Sequence, residues 1–101
     1  MSKHTSKLYT GIKIYCETEK AIATDTNRVK AFDTVLKAIR TLFVEGAQAH
    51  LIRNYRAYCE MADATSYEDV DEDVLRIVAR AQTYVSVYDE IAGRFGVSYS
   101  A

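Results

Sequence analysis

Proline and tryptophan are absent from this chain of 101 residues, which also has only four glycines and two cysteines. Without proline, no helix is forced to kink or end. Two cysteines do not make the disulfide framework of a small secreted domain. We therefore expect a protein of the cytoplasm, either of its own cell or of a host cell.

Long apolar runs are also missing. The longest near the middle of the chain is Leu42 to Val44, whereas a membrane span needs about 18 apolar residues. The lysines of Met1 to Thr10 are not followed by an apolar block, so no secretory signal is visible. With 49% hydrophobic residues and a net charge of −1, the chain is not of the disordered class. We expect one folded domain over residues 1–101, with residues 1–6 frayed and no membrane association.

Two long segments carry apolar residues at helical spacing, Asp25 to Val44 and Asp71 to Arg94. Asp25 or a neighbouring threonine is a suitable N-cap for the first of them. Gly46 and Gly96 follow the two segments at positions where a glycine often ends a helix. Both segments are therefore predicted to be helices.

The rest of the chain fits the same class. Ala47 to Ala62 is predicted to be a third helix. The first segment is ambiguous, because Leu8, Ile12 and Tyr15 fit a helical stripe while Leu8, Ile12 and Ile14 fit a strand. A helix is favoured, since no second strand signal exists to pair with. The predicted fold is all-α, a small antiparallel bundle of three to four helices.

Charge is divided unevenly along the chain. Residues 1–57 carry ten basic and five acidic side chains, whereas residues 58–101 carry three basic and nine acidic ones. Such asymmetry indicates charged partners, unless the two halves pack together and partly neutralise each other. The second interpretation is favoured.

An acidic patch precedes and opens the last predicted helix. It is our candidate surface for a partner protein with a basic surface, because carboxylates pair with arginine and lysine. The alternative, which we favour, is that these acids only cap the helix and interact with its dipole. The patch consists of Tyr67, Glu68, Asp69, Asp71, Glu72 and Asp73.

Eight tyrosines are present, and four lie on or beside the apolar stripes. A tyrosine ring can be buried while its hydroxyl reaches a partner, which is why tyrosine is enriched at interfaces. A place at the edge of a monomer's core is nearly as probable. We expect a homodimer, with Tyr55, Tyr58, Tyr84 and Tyr88 as candidate interface residues.

Basic side chains on the second and third predicted helices form a candidate nucleic-acid surface. Arginine and lysine contact phosphates, but the pI of about 6.1 is far below the value above 9 that is usual for nucleic-acid-binding domains. A helix surface with ordinary ion pairs is therefore favoured over groove binding. The candidate residues are His50, Arg53, Arg56, Lys30, Lys37 and Arg40.

Known metal motifs do not fit the chain. Asp69, Asp71 and Asp73 have the spacing that opens a calcium loop, but Val74 replaces the required glycine and Arg80 the closing glutamate. No CxxC, HExxH or glycine-rich phosphate loop occurs. We therefore expect no metal and no cofactor.

Catalytic constellations are equally weak. Cys59 and His50 lie nine residues apart, which puts them on opposite sides of one helix. Glu60 and Asp63 form a single carboxylate pair, whereas a magnesium cage needs a second pair on a facing helix. No catalytic residue is predicted.

These observations predict a small non-enzymatic helical protein that binds another protein as an adaptor, regulator or inhibitor. Its size suits the inhibitors made by phages and other mobile elements. The alternative is nucleic-acid or nucleotide binding through the basic face of the first three helices. A divalent-metal enzyme assembled by dimerisation is the least favoured reading.

Overall fold

The computed structural model describes residues 3–40, 44–63 and 71–99, with the backbone alone for residues 3–6 and 44–45. Four helices account for nearly all of this part: α1 (Lys3–Ile22), α2 (Thr26–Arg40), α3 (Val44–Ala62) and α4 (Glu72–Phe95). The helices pack against one another, and the described residues contain no strand. The predicted small all-α bundle is therefore confirmed.

Helix α1 settles the ambiguity of the first segment. Ile12 and Cys16 are fully buried, whereas Ile14 is exposed. Burial at a spacing of four residues is the pattern of a helix, while a strand would have placed Ile12 and Ile14 on one face. The helix prediction is confirmed.

The predicted boundary at Gly46 is wrong. Helix α2 ends at Arg40, and Gly46 lies within the first turn of α3 rather than after the end of α2. Among the described glycines, Gly96 has the positive φ that is typical of a helix end, whereas Gly46 does not. The predicted segment also included Thr41, Leu42 and Phe43, which lie outside the described residues.

Local side-chain contacts explain where two helices begin. Asp25 caps α2, because its Oδ1 accepts a 2.9 Å hydrogen bond from the backbone N–H of Asn27. Asp71 caps α4 in the same way through the N–H of Val74. Gly96, with φ of +70°, ends α4 by donating its N–H to the carbonyl of Ala92. The predicted bounds of α4 therefore hold to within one residue.

The core lies where α2 and α4 meet α1 and α3. Its largest fully buried side chains come from all four helices, so each helix contributes a stripe to one common interior. They are Ile12, Cys16, Phe32, Val35, Leu51, Val87, Tyr88 and Ile91.

Gly11 allows α1 to approach the end of α4. A Cβ at this position would lie 3.2 Å from the Phe95 ring, which is tighter than ordinary packing. The Phe95 ring in turn contacts Tyr15 edge-on at 5.6 Å. The close approach explains a glycine in the middle of a helix, where it otherwise costs about 1 kcal/mol relative to alanine.

Among the described residues, an ion pair joins the basic and acidic halves of the chain. Arg28 on α2 makes two hydrogen bonds of 3.1 Å to the carboxylate of Glu90 on α4. Within the basic half, Lys20 pairs with Asp33 at 2.6 Å. Packing of the halves therefore neutralises part of the asymmetry, as the favoured interpretation of the charge pattern predicted.

Candidate protein-binding groove

The acidic patch is only partly within the described residues. Tyr67, Glu68 and Asp69 lie outside them. Asp71 performs the capping role, while Glu72 and Asp73 are highly exposed and lie 3.7 Å and 3.6 Å from Arg76. The capping role is thus seen at Asp71, and two carboxylates of the patch face solvent.

Two of the four candidate interface tyrosines are buried. Tyr88 has no exposed surface and offers none to a partner, whereas the exposed 9% of Tyr84 lines a groove between α3 and α4. The expectation of an interface role is therefore corrected for Tyr88, and both residues belong to the core cluster. Tyr55 and Tyr58 are half-buried. Their rings pack on the buried pair because α3 and α4 make the most extensive helix contact in the bundle.

A fifth tyrosine completes this cluster. The ring of Tyr99 stacks on that of Tyr55 at 4.6 Å, and its hydroxyl donates a 2.7 Å hydrogen bond to the carbonyl of Tyr88. Our sequence analysis missed Tyr99. An aromatic residue three positions after a helix-ending glycine was the available signal, since apolar residues in this place often fold back onto the last turns.

Polar groups inside the cluster are satisfied. The Tyr88 hydroxyl is hydrogen-bonded to Thr34 Oγ1 at 2.8 Å and accepts from Asn54 Nδ2 at 3.2 Å. Tyr55 donates to Asp89 at 2.8 Å. Burial raises the pKa of Tyr88 to about 12, and the hydrogen bond to Asp89 raises the pKa of Tyr55. These hydroxyls are therefore structural and remain protonated near neutral pH.

The six candidate nucleic-acid residues differ in exposure and in their ion pairs. Arg40 pairs with Glu17 of α1 at 3.0 Å, and His50 is half-buried. Arg53 and Arg56 are exposed on α3. Lys37 is exposed on α2 and Lys30 lies in a groove against α4. Nucleic-acid binding by this set stays a prediction.

A groove of about 270 Å³ lies between the end of α3 and the first half of α4. Its floor contains Tyr58 and Tyr84, and Met61 and Ile77 line it with 44% and 42% of their surfaces exposed. Isolated exposed apolar residues need no explanation, but Met61 and Ile77 line the same groove, which makes it a candidate contact surface. The lining residues are Thr34, Tyr58, Met61, Ile77, Arg80, Ala81 and Tyr84.

A second groove, of about 290 Å³, adjoins the first. The two share Ile77 and Arg80, so they form one continuous surface, which we call the α4 groove. The second part is cationic because it adds Lys30 from α2 and Arg76 from α4. Its lining residues are Asn27, Lys30, Arg76, Ile77, Ala79 and Arg80.

Ile77 follows the helical spacing of apolar residues in the segment predicted as α4, and Arg76 and Arg80 are two of the three basic residues in the acidic half of the chain. The stripe was too broad for every member to be covered, so periodicity could not show that Ile77 is exposed. The presence of Arg76 and Arg80 on either side of Ile77, one helical turn apart, was the available signal.

Among the described residues, no three potential ligands of the His, Cys, Asp or Glu type lie close enough to hold a metal ion. Burial raises the pKa of the Cys16 thiol to about 12, which keeps it out of nucleophilic reactions at neutral pH. Glu60 and Asp63 are exposed.

Comparison with known proteins gives no relative. No protein family matches the chain, and no curated protein or solved structure resembles it significantly.

None of the helices in the described ranges combines the length and the apolar character that crossing a bilayer requires.

Proposed function

We propose that this chain acts by binding another protein, as an adaptor, regulator or inhibitor, and not by catalysis. The contact surface is the α4 groove. The observation that carries the proposal is the exposure of Met61 and Ile77 in one groove, with aromatic rings beneath them and Arg80 beside them. Free thiols at Cys16 and Cys59 are in keeping with a cytoplasmic place of action.

Burial energies support this use of the groove. Fully burying an isoleucine or methionine side chain contributes about 1.5–3 kcal/mol, so covering the exposed part of each contributes about 1 kcal/mol. Protein interfaces obtain most of their affinity from a few such anchors, and arginine and tyrosine are enriched among them. The α4 groove offers these residue types together.

Partner capture with matched variants tests the proposal. Ile77→Ser removes an apolar anchor from the groove, whereas Leu75→Ser removes a somewhat more exposed side chain of α4 (51% against 42%) that does not line it. We expect the tagged protein and Leu75→Ser to retain the same cross-linked partner from cells that express the chain, and Ile77→Ser to lose it. Equal capture by all three proteins would contradict the proposal, as would turnover of a substrate by the purified chain.

The acidic patch is tested separately. Replacing Glu72 and Asp73 with lysine reverses the exposed charge but keeps Asp71, and with it the cap of α4. If the partner binds through the α4 groove, its capture survives this double change. Loss of capture, with the fold unchanged by circular dichroism, would instead assign the contact to the acidic patch and a partner with a basic surface.

A further inference from the structure

We propose that the partner segment in the α4 groove is an acidic amphipathic helix, whose apolar face covers Met61 and Ile77 while its carboxylates pair with Arg80, Arg76 and Lys30. The inference rests on the proposed function and adds the chemistry of the partner. It uses both parts of the groove, because the apolar part alone would fit any apolar segment and the cationic part alone would fit any anion.

The open shape of the groove favours side chains over a small molecule. Its two parts, of about 270 and 290 Å³, are both open to solvent, whereas pockets for small ligands bury most of the ligand's surface. Each part therefore accommodates one or two side chains of a larger partner. The elongated arrangement along α4 matches a helix laid into a groove.

The cations of the groove indicate that the partner segment is negatively charged. No described carboxylate pairs with Lys30 or Arg80. Arg76 lies 3.7 Å from Glu72 and 3.6 Å from Asp73, and all three side chains are highly exposed, so this contact is readily exchanged. Three cations therefore face the groove and can be paired by a partner.

Arg80 joins the cationic part to the apolar part. It lines the apolar part together with Tyr58 and Tyr84, and the cationic part together with Lys30 and Arg76. A carboxylate bound to Arg80 would thus lie beside an apolar side chain over Tyr58. Nucleic acid would pair with the cations but leave Met61 and Ile77 uncovered, which is why an acidic helix is favoured.

The test uses a synthetic fluorescent helical peptide of roughly four turns, with leucines on one face and glutamates beside them. The matched probe has lysine in place of every glutamate, and the third probe is a DNA duplex. We expect the glutamate peptide to bind and to shift the methyl NMR signals of Met61 and Ile77. Binding should weaken about tenfold in Arg80→Glu, about fivefold in Ile77→Ser and not at all in Leu75→Ser.

Three results would overturn the inference. These are equal binding of the lysine peptide, binding of the duplex alone, or no methyl shift at millimolar glutamate peptide. Self-association that Ile77→Ser abolishes, measured by analytical ultracentrifugation, would assign the groove to a second copy of the chain. If the peptide fails while Ile77→Ser still loses the captured partner, the proposed function stands and only the partner chemistry is wrong.

Discussion

The hydroxyl of Tyr99 donates a 2.7 Å hydrogen bond to the backbone carbonyl of Tyr88, eleven residues earlier in the chain. Tyr88 lies inside α4, whereas Tyr99 follows the glycine that ends this helix. The contact, together with the stacking of Tyr99 on Tyr55, holds residues 97–99 against the bundle. Two substitutions separate the contributions of the hydroxyl and the ring.

Tyr99→Phe keeps the ring and removes the hydrogen bond, so we expect a loss of about 1 kcal/mol in the free energy of unfolding. Tyr99→Ala removes the ring as well and should cost about 3 kcal/mol, because an almost fully buried aromatic side chain is lost. Urea unfolding followed by circular dichroism measures both. Equal stability of Tyr99→Ala and the unmodified protein would show that the tail does not dock in solution.

Alkaline pH should unfold the protein through its buried tyrosines. Tyr88 has its pKa raised from 10.0 to about 12, mainly by burial, so the unfolded chain loses this proton first as the pH rises. The contribution to stability is fully present below pH 10 and is lost between pH 10 and about 12. Absorbance at 295 nm, which reports tyrosine ionisation, should rise together with the loss of helical circular dichroism.

Tyr88→Phe is the control for that experiment. It leaves Thr34 and Asn54 without their shared partner and should cost about 1–3 kcal/mol below pH 10. The fall of stability above pH 10 should be shallower than in the unmodified protein. Ionisation of all tyrosines near pH 10 with intact helices would contradict the burial of Tyr88.

The cap of α4 can be tested apart from its charge. Asp71→Ala removes the oxygen that accepts from Val74 and should cost about 1 kcal/mol, whereas Asp71→Asn keeps an acceptor and should cost only a few tenths. Thermal unfolding measures the difference. If both variants lose the same stability, the charge of Asp71 matters more than its hydrogen bond.

The two cysteines should differ in reactivity. Cys16 is fully buried with its thiol pKa raised to about 12, while Cys59 is half-buried. At pH 8 a thiol reagent should label Cys59 first and reach Cys16 only when the chain unfolds. Mass spectrometry after timed labelling of the protein and of Cys59→Ala measures both rates. Fast labelling of Cys16 in folded Cys59→Ala would contradict its place in the core.

The parts of the fold set by local chemistry were predictable from the sequence. Asp71 and Gly96 carry the chemistry of a helix start and a helix end, and they bound α4 as predicted. The place of Gly46 was not predictable in this way, because a glycine after an apolar stripe resembles a stop signal, whereas Gly46 lies in the first turn of α3.

The candidate site was less accessible to sequence reasoning. Its residues come from α2, α3 and α4, and Lys30 and Arg80 are 50 positions apart in the chain. Periodicity assigns each helix a buried face but does not say which edge of that face a neighbouring helix leaves uncovered. Ile77 and Met61 lie at such an edge, so their exposure emerges only when three helices are placed together.

The Tyr88 hydroxyl of α4 is hydrogen-bonded to Thr34 of α2 and to Asn54 of α3, so it fixes the positions of three helices relative to one another. A shift of any of these helices by one turn, about 5.4 Å, would leave buried polar atoms without partners. An entirely apolar interface carries no such penalty. The helices are consequently held in one axial register. The protein should therefore give one sharp set of NMR resonances, and not the broadened lines of a bundle that exchanges between several registers.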